Sequence, residues 1–490
     1  MPAKRARMPA LHWAKSLLRR NMDSLLIFSV DETGKESVKK ETALIFIAVA
    51  LLIGIVILLG FYGSKSTNIV LIVIDTLRAD RLSSYGFAKN TSPELDRFAN
   101  NGVQFKRVIA QSSWTRPSIG SMLTSRYPRS LGIYKERFDM LADSHLTLAE
   151  VLKSRGYSTV GFTANPNINA VYNFDQGFDF YQDSTAAWKF MKDTPRTANR
   201  PIAKGFQPAR MIFDDALKAV EREDAYPDRR KPFYLQITVM EVHEHGKMVR
   251  PEFQNLFLDD EEAQYLQAIR QVSRDIAIFY QKLKSLPEWE NTLLVITSDH
   301  GEGLLSHPSV SRSYLHGNLL YESQILVPLI FYNPADQALK NRKITEPVRL
   351  LDLMPTILDY AGIRLPNVLQ GKSLLPWIKG DPANLILPNN FIVETSWRDV
   401  KKIGVYTKDW TYIENRDDWA GVNRFELQPA GILENGKVTD RIESMGHIAQ
   451  PLRQYLNDWE KKHPRSKPDR QKQEPSDFEV EQMKAMGYLQ

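Results

Sequence analysis

Carboxylate, imidazole and hydroxyl side chains recur in this sequence where extended apolar runs stop, and their types suit a divalent cation. Asp75 follows the run NIVLIVI, Glu241, His243 and His245 follow FYLQITVM, and Asp299 and His300 come just after NTLLVIT. Zn²⁺ or Mn²⁺ fits such a mixed oxygen and nitrogen set best, with Ca²⁺ or Mg²⁺ as the oxygen-seeking alternatives. Taken singly, Asp75 reads equally well as a helix cap and His300 as a satisfied interior histidine. Taken together, residues gathered from separate strand ends make one shared ion the economical reading. Glu241 and His245, four apart, together with His316, offer a second ion of the kind that two-metal phosphodiesterases use on both entering and leaving oxygens. The alternative is a single ion, with His243 or His316 as a proton donor.

The nucleophile candidate lies in QSSWTRPSIGSMLTSRYP, where Thr115 precedes Pro117 and an Ile119, Met122, Leu123 series at helical spacing. That pattern predicts a helix beginning at Thr115. There the positive end of the helix dipole favours an alkoxide, and a metal touching the same oxygen activates it without a dedicated base. Thr115 is thus both a candidate ligand and a candidate nucleophile; an ordinary capping threonine is the other reading. Arg116 stands beside it, either to neutralise substrate charge or to form a plain surface ion pair. Arg78 and Asp80 in DTLRAD read as a structural pair behind the site.

Such residues need a scaffold that brings distant strand ends together. Short apolar runs at 68–74, 158–164, 233–240, 291–297 and 327–332 alternate with helix-period segments, as in a mostly parallel sheet buried on both faces. In that architecture ligands bind beyond the carboxyl ends of the strands. Helices are expected from Ser92 and Pro93 to Gly102, from Leu146 to Arg155 before Gly156, and from Pro355 to about Gly362. Residues 259–286 read as a long polar helix on the outside of the sheet. Period-2 fragments at 390–394 and 402–406 predict a small antiparallel sheet near the C-terminus, 461–475 a polar connector, and 483–489 a run that docks back on the body.

With 490 residues, 43% hydrophobic and 25% charged, the chain is ordinary globular material in more than one part. Cysteine is absent, which excludes disulfides, thiolate metal sites and a cysteine nucleophile. The net charge of +6 is not gathered into a basic face with interleaved aromatics, so no nucleic-acid partner is expected. Residues 42–62, TALIFIAVALLIGIVILLGFY, carry no charge and are long enough to span a membrane as a helix. Nine lysines and arginines precede the span, from Lys4 to Lys40, whereas only Lys65 closely follows it, so the N-terminus is expected in the cytoplasm and the catalytic part outside. The expected organisation is a basic cytoplasmic segment (1–41), a transmembrane helix (42–62), a catalytic domain (66–388) and a smaller C-terminal subdomain with tail (389–490).

From Asn68 to the C-terminus the sequence resembles the sulfatase-like members of the alkaline phosphatase superfamily. The blocks NIVLIVIDTLRADRLSSYG, TSPELDRFANNGVQF, TSDHGEG, HGNLLYESQILVPLIFYNP, LLDLMPTILDYAGI with QGKSLLP, and EQMKAMGYL follow in that family's order. The resemblance implies an α/β sandwich with a large, mostly parallel central sheet flanked by helices and a small C-terminal antiparallel sheet. It also implies metal binding by Asp75, Asp299 and His300, a nucleophile at Thr115, and anion contact or leaving-group protonation by His243 and His316. Two departures qualify it. The family's C/S-x-P-x-R motif, oxidised to formylglycine, is replaced by Thr115, Arg116, Pro117, Ser118 and Ile119, so no formylglycine is expected. The sulfate-gripping Lys and His of a G-K-W-H stretch give way to Gly161, Phe162, Thr163 and Ala164. Threonine with Asp and His ligands is similar to phosphoethanolamine transferases, lipoteichoic acid synthases and nucleotide pyrophosphatases. The expectation is therefore a membrane-anchored hydrolase or transferase of phosphate, phosphodiester or sulfate esters, with a membrane lipid or cell-envelope glycan as the candidate carrier. A protein that binds an anionic ligand without catalysis is the alternative of another class.

Overall fold

The computed structural model describes residues 28–30, 36–38, 48–51 and 67–470, apart from 135–138, 185–206, 223–227, 229–230, 287–288, 307–314, 382, 384, 399, 418–421 and 432–439, together with 477, 480 and 484. The chain divides into two compact units, 1–65 and 66–490. In the first, strands Phe28–Val30 and Glu36–Val38 pair antiparallel, and 48–51 is helical. Among the described residues no helix is long and apolar enough to cross a membrane. The expected span at 42–62 lies outside the described residues except for 48–51, as does nearly all of the 483–489 run.

The second unit is built on a nine-stranded sheet. Its strands are β1 (Asn68–Ile74), β2 (Val103–Ile109), β3 (Ser158–Thr163), β4 (Phe180–Gln182), β5 (Phe233–Val239), β6 (Thr292–Thr297), β7 (Leu326–Tyr332), β8 (Arg342–Ile344) and β9 (Val348–Arg349). They are ordered β8-β2-β7-β6-β1-β5-β3-β4, with β9 also on β2. Every pairing is parallel except those of β7, which runs against both β6 and β2. All seven residues of the central β1 are buried, as are all those of β5 and β6. Uninterrupted apolar runs are the signature of strands covered on both faces, and each fully buried Val, Leu or Ile stabilises the layer by about 1.5–3 kcal/mol.

Helices α1 (Pro93–Asn101), α2 (Thr115–Thr124), α3 (Leu148–Ser154), α4 (Ala209–Glu221), α5 (Ala263–Lys284) and α6 (Leu353–Tyr360) cover the sheet. Proline opens α1, and a reciprocal Thr147–Glu150 capping box opens α3. Helix α5 departs from the expectation of a polar outer helix: Tyr265, Leu266, Ile269, Val272, Ile276, Phe279 and Leu283 are buried at helical spacing, so it carries part of the core. Only Gly102 separates α1 from strand β2, and a Cβ added there would strike the Phe331 carbonyl oxygen of β7. Beyond the main sheet, β10 (Phe391–Thr395), β11 (Lys402–Tyr406), β12 (Trp410–Asn415) and β13 (Phe425–Pro429) form an antiparallel meander backed by helix α7 (Gly446–Lys462). The segment after α7 is less detached than a plain connector, since Asp469–Arg470 pairs with Asp139–Met140.

Candidate active site

Parallel register fixes which residues meet. Val73 on β1 pairs with Thr238 on β5 and Thr297 on β6, while Thr238 also pairs with Thr163 on β3. Side chains two residues apart along a strand share a face. Two residues past that line, beyond the carboxyl edge, stand Asp75, Met240, Asp299 and Asn165. Three polar groups are thereby brought to one level of the sheet.

A ligand group results. One oxygen each from Asp75 and Asp299 and a ring nitrogen of His300 lie within 4.8 Å of one another, and all three residues are fully buried. His300 Nε2 is 3.3 Å from Asp299 Oδ2 and 4.0 Å from Asp75 Oδ1. Its other nitrogen, Nδ1, is 2.9 Å from the Gly301 carbonyl oxygen, which can only accept, so Nδ1 carries the proton and the Nε2 lone pair faces the carboxylates. Asp299 Oδ1 accepts from the backbone N–H groups of His300 and Thr76, while Asp299 Oδ2 and Asp75 Oδ1 are buried without a hydrogen-bond partner. Burial and the facing Asp299 charge push Asp75 up to about 7, outweighing His243, His300 and Asn165, which pull it down. Orphaned carboxylate oxygens around an imidazole lone pair fit a divalent cation by donor type and by electrostatic need.

Helix α2 delivers the hydroxyl. Trp114, in extended conformation, turns the chain into the helix, and Ser118 Oγ donates to the Asp299 carbonyl oxygen at 2.6 Å, pinning the first turn against the ligand group. Thr115 Oγ1 lies 3.2 Å from His300 Nε2. The Asn165 amide nitrogen donates to Asp75 Oδ2 and reaches Thr115 Oγ1 at 3.4 Å.

Histidine rings extend the site outward. His316 packs 4.7 Å from His300 and 5.0 Å from His243, centroid to centroid. His316 Nδ1 pairs with Glu302 at 3.0 Å and His243 Nδ1 with Glu244 at 2.9 Å. Burial opposes charge on His243, but the Glu244 hydrogen bond and the Asp75 and Glu302 charges outweigh it and hold the ring up to about 9. A His243 that stays protonated near neutrality is suited to donate to an anion or a leaving oxygen.

The remaining expected residues go elsewhere. Glu241, His245 and His316 do not form a second ligand group among the described residues. Glu241 turns to the start of α4, where it accepts from Ala209 N–H, and burial pushes its carboxyl up to about 8 against that bond. His245 Nδ1 donates to the Val242 carbonyl at 3.0 Å, and its ring packs against Tyr265. Arg116 is not on the surface, against the expectation of a surface ion pair. It is fully buried, lies 3.5 Å over the Tyr172 ring and donates to the Asn167 and Asp139 carbonyl oxygens and to Asn167 Oδ1. Arg78 does pair with Asp80, at 2.8 Å, and also holds the Glu302 and Gly303 carbonyls behind the site. Asn165, Glu244 and Glu302 escaped the sequence reading. The strand-end rule that found Asp75 also finds Asn165, two residues past β3, once an uncharged amide counts as a candidate.

The profile of the sulfatase family matches residues 67–363, and that of the N-sulphoglucosamine sulphohydrolase C-terminal region matches 312–458. The ulvan-active sulfatase of Formosa agariphila is 24% identical over 376 residues, covering 70% of this chain and 72% of that protein. The N-acetylgalactosamine-6-sulfatase of Canis lupus familiaris is 25% identical over 363 residues, covering 66% and 68%. Among solved structures, a 2-O GAG sulfatase superposes with a TM-score of 0.62 at 18% identity over 81% of this chain and 93% of the other. The phosphonate monoester hydrolase of Agrobacterium radiobacter does so with a TM-score of 0.60 at 17% identity, covering 81% and 96%.

Proposed function

This chain belongs to the sulfatase family and is a hydrolase of that family, and from that premise we propose that it cleaves sulfate or phosphate esters through the Thr115 hydroxyl, with phosphoryl esters the better substrates. The carrying observation is Thr115 Oγ1 at 3.2 Å from His300 Nε2, beside two carboxylates whose outward oxygens have no partner. Asp75, Asp299 and His300 would hold a divalent ion, which supplies charge neutralisation and lowers the hydroxyl's pKa. Thr115 attacks the phosphorus or sulfur atom, and Asn165 orients both that hydroxyl and the Asp75 carboxylate. His243, kept protonated by Glu244, gives its proton to the departing alcohol, while His316, oriented by Glu302, packs between His243 and His300 on the side of the ester's oxygens.

Thr115 carries a single hydroxyl, so its covalent ester has to be opened by water at the central atom, which is the easier route at phosphorus. That argument supports phosphoryl preference, and the phosphonate hydrolase among the structural neighbours is in keeping with it. In the same reading the apolar stretch 42–62 anchors the chain, and the excess of lysine and arginine before it leaves the catalytic unit outside the cytoplasm. Comparison of kcat/KM for matched nitrophenyl phosphodiester, phosphate and sulfate esters tests the preference. Faster turnover of the phosphodiester is expected; turnover of the sulfate alone would refute it.

A further inference from the structure

Next to the histidines lies a cavity of about 510 Å³, bounded on the site side by His243, His316 and Glu302. Through the rings of His243 and His316 it adjoins His300 and, beyond it, Thr115. The chemistry of its walls is uneven. Four carboxylates line it, Glu244, Glu261, Glu262 and Glu302, against a single lysine, Lys247. The basic side chains near these walls already face carboxylates: Lys247 and His243 pair with Glu244, His316 Nδ1 with Glu302, and Arg81 with Glu262. Glu261 is solvent-exposed and pairs with no basic side chain among the described residues.

The rest of the lining includes apolar side chains. Leu304, Leu305 and Leu315 line the cavity with the Tyr265 ring. Leu305 leaves 48% of its surface in water, and its backbone N–H is tied to Glu262 at 3.4 Å. Leu304 is held at φ 49°, a left-handed conformation rare for a branched side chain and maintained only where the surroundings enforce it. A leucine wall kept exposed at the mouth of a reactive site gains by covering itself with an apolar ligand.

From this pairing of an apolar wall with an acidic rim we propose that the alcohol released by this enzyme is uncharged and partly apolar, an amphiphile of aryl or lipid type, and that polyanionic glycans are excluded. The inference rests on the ester-cleaving reading for its orientation. A glycan carrying further sulfates or carboxylates would set a like charge against Glu261, which no described ion pair compensates, whereas an apolar body displaces water from Leu304 and Leu305.

Two matched alcohols, 4-butylphenol and 3-(4-hydroxyphenyl)propanoate, and their phosphate and sulfate esters provide the test on the full chain. Binding of the free alcohols, followed by ligand-observed NMR, reads the cavity without requiring turnover. The neutral alcohol is expected to bind roughly tenfold or more tightly than the carboxylate. Leu305→Asp should abolish that advantage, and Glu261→Lys should improve binding of the carboxylate selectively. Equal or tighter binding of the carboxylate to the unaltered protein, or binding of the neutral alcohol that neither substitution changes, overturns the proposal. Discrimination between the alcohols without turnover of either ester upholds the cavity assignment and refutes the ester-cleaving reading instead.

Discussion

A threonine hydroxyl is a feeble nucleophile in water, and what surrounds Thr115 is a set of groups that can change that: the His300 lone pair, two facing carboxylates and the Asn165 amide. Replacing Thr115 by valine keeps the volume and removes the oxygen. Turnover is expected to fall by on the order of 10³-fold or more with the fold retained, while Thr115→Ser keeps measurable activity; stopped-flow and steady-state kinetics read both. Glu241 provides a contrasting test. Its folded-state carboxyl is raised to about 8 from an ordinary value of 4.5, so the folded chain holds a proton there that the unfolded chain has lost. Stability from this group therefore declines as pH rises from about 4.5 through about 8. Glu241→Gln should raise the melting temperature at pH 8 relative to the unaltered chain, with little difference at pH 4, and should leave metal stoichiometry unchanged. Loss of a bound ion in that variant would restore Glu241 as a ligand.

At the scale of elements, the site is a consequence of register. Strands β1, β3, β5 and β6 were legible because their apolar runs are bounded by polar residues, and with them came Asp75, Asp299 and His300. Strand β2 was not legible, since it follows α1 with only Gly102 between them and its sequence VQFKRVI mixes charge into the run. The reversed direction of β7 was equally hidden, because local periodicity carries no information about which way a strand points. The inward courses of Arg116 and Glu241 were hidden for a related reason: adjacency to a motif says nothing about which side of an element a side chain takes. The loop after β6 should be intolerant of bulk, as a Cβ on Gly301 would meet the Ser323 carbonyl oxygen while the Gly301 carbonyl fixes the His300 tautomer. Gly301→Ala is expected to weaken metal affinity by tenfold or more in calorimetry. Helix α7 is clamped to the body through Glu460, which binds Arg129 at 2.6 Å and Arg416 at 2.6 Å. Partial burial opposes the Glu460 charge, but these arginines hold its carboxyl down at about 2. The stabilisation is present in full above about pH 4.5 and is lost as pH falls toward 2. The gap in urea midpoint between the unaltered chain and Glu460→Gln should be largest near pH 6 and shrink steadily below pH 4.

For the whole molecule, the division at 65/66 separates a catalytic unit from the basic N-terminal part that contains the apolar stretch. The full chain, expressed in cells, is expected to resist alkaline extraction from membranes, with the catalytic unit accessible to external protease and the first residues protected. Release by alkaline wash would remove the anchor from the account. One ion, however, is expected to join two strand ends and one helix start. Anomalous diffraction from crystals of the metal-loaded protein tests it most directly. A single peak is expected within bonding distance of Asp75, Asp299 and His300, with Thr115 Oγ1 beside it. A peak away from these residues, or none with the protein fully active, would contradict it.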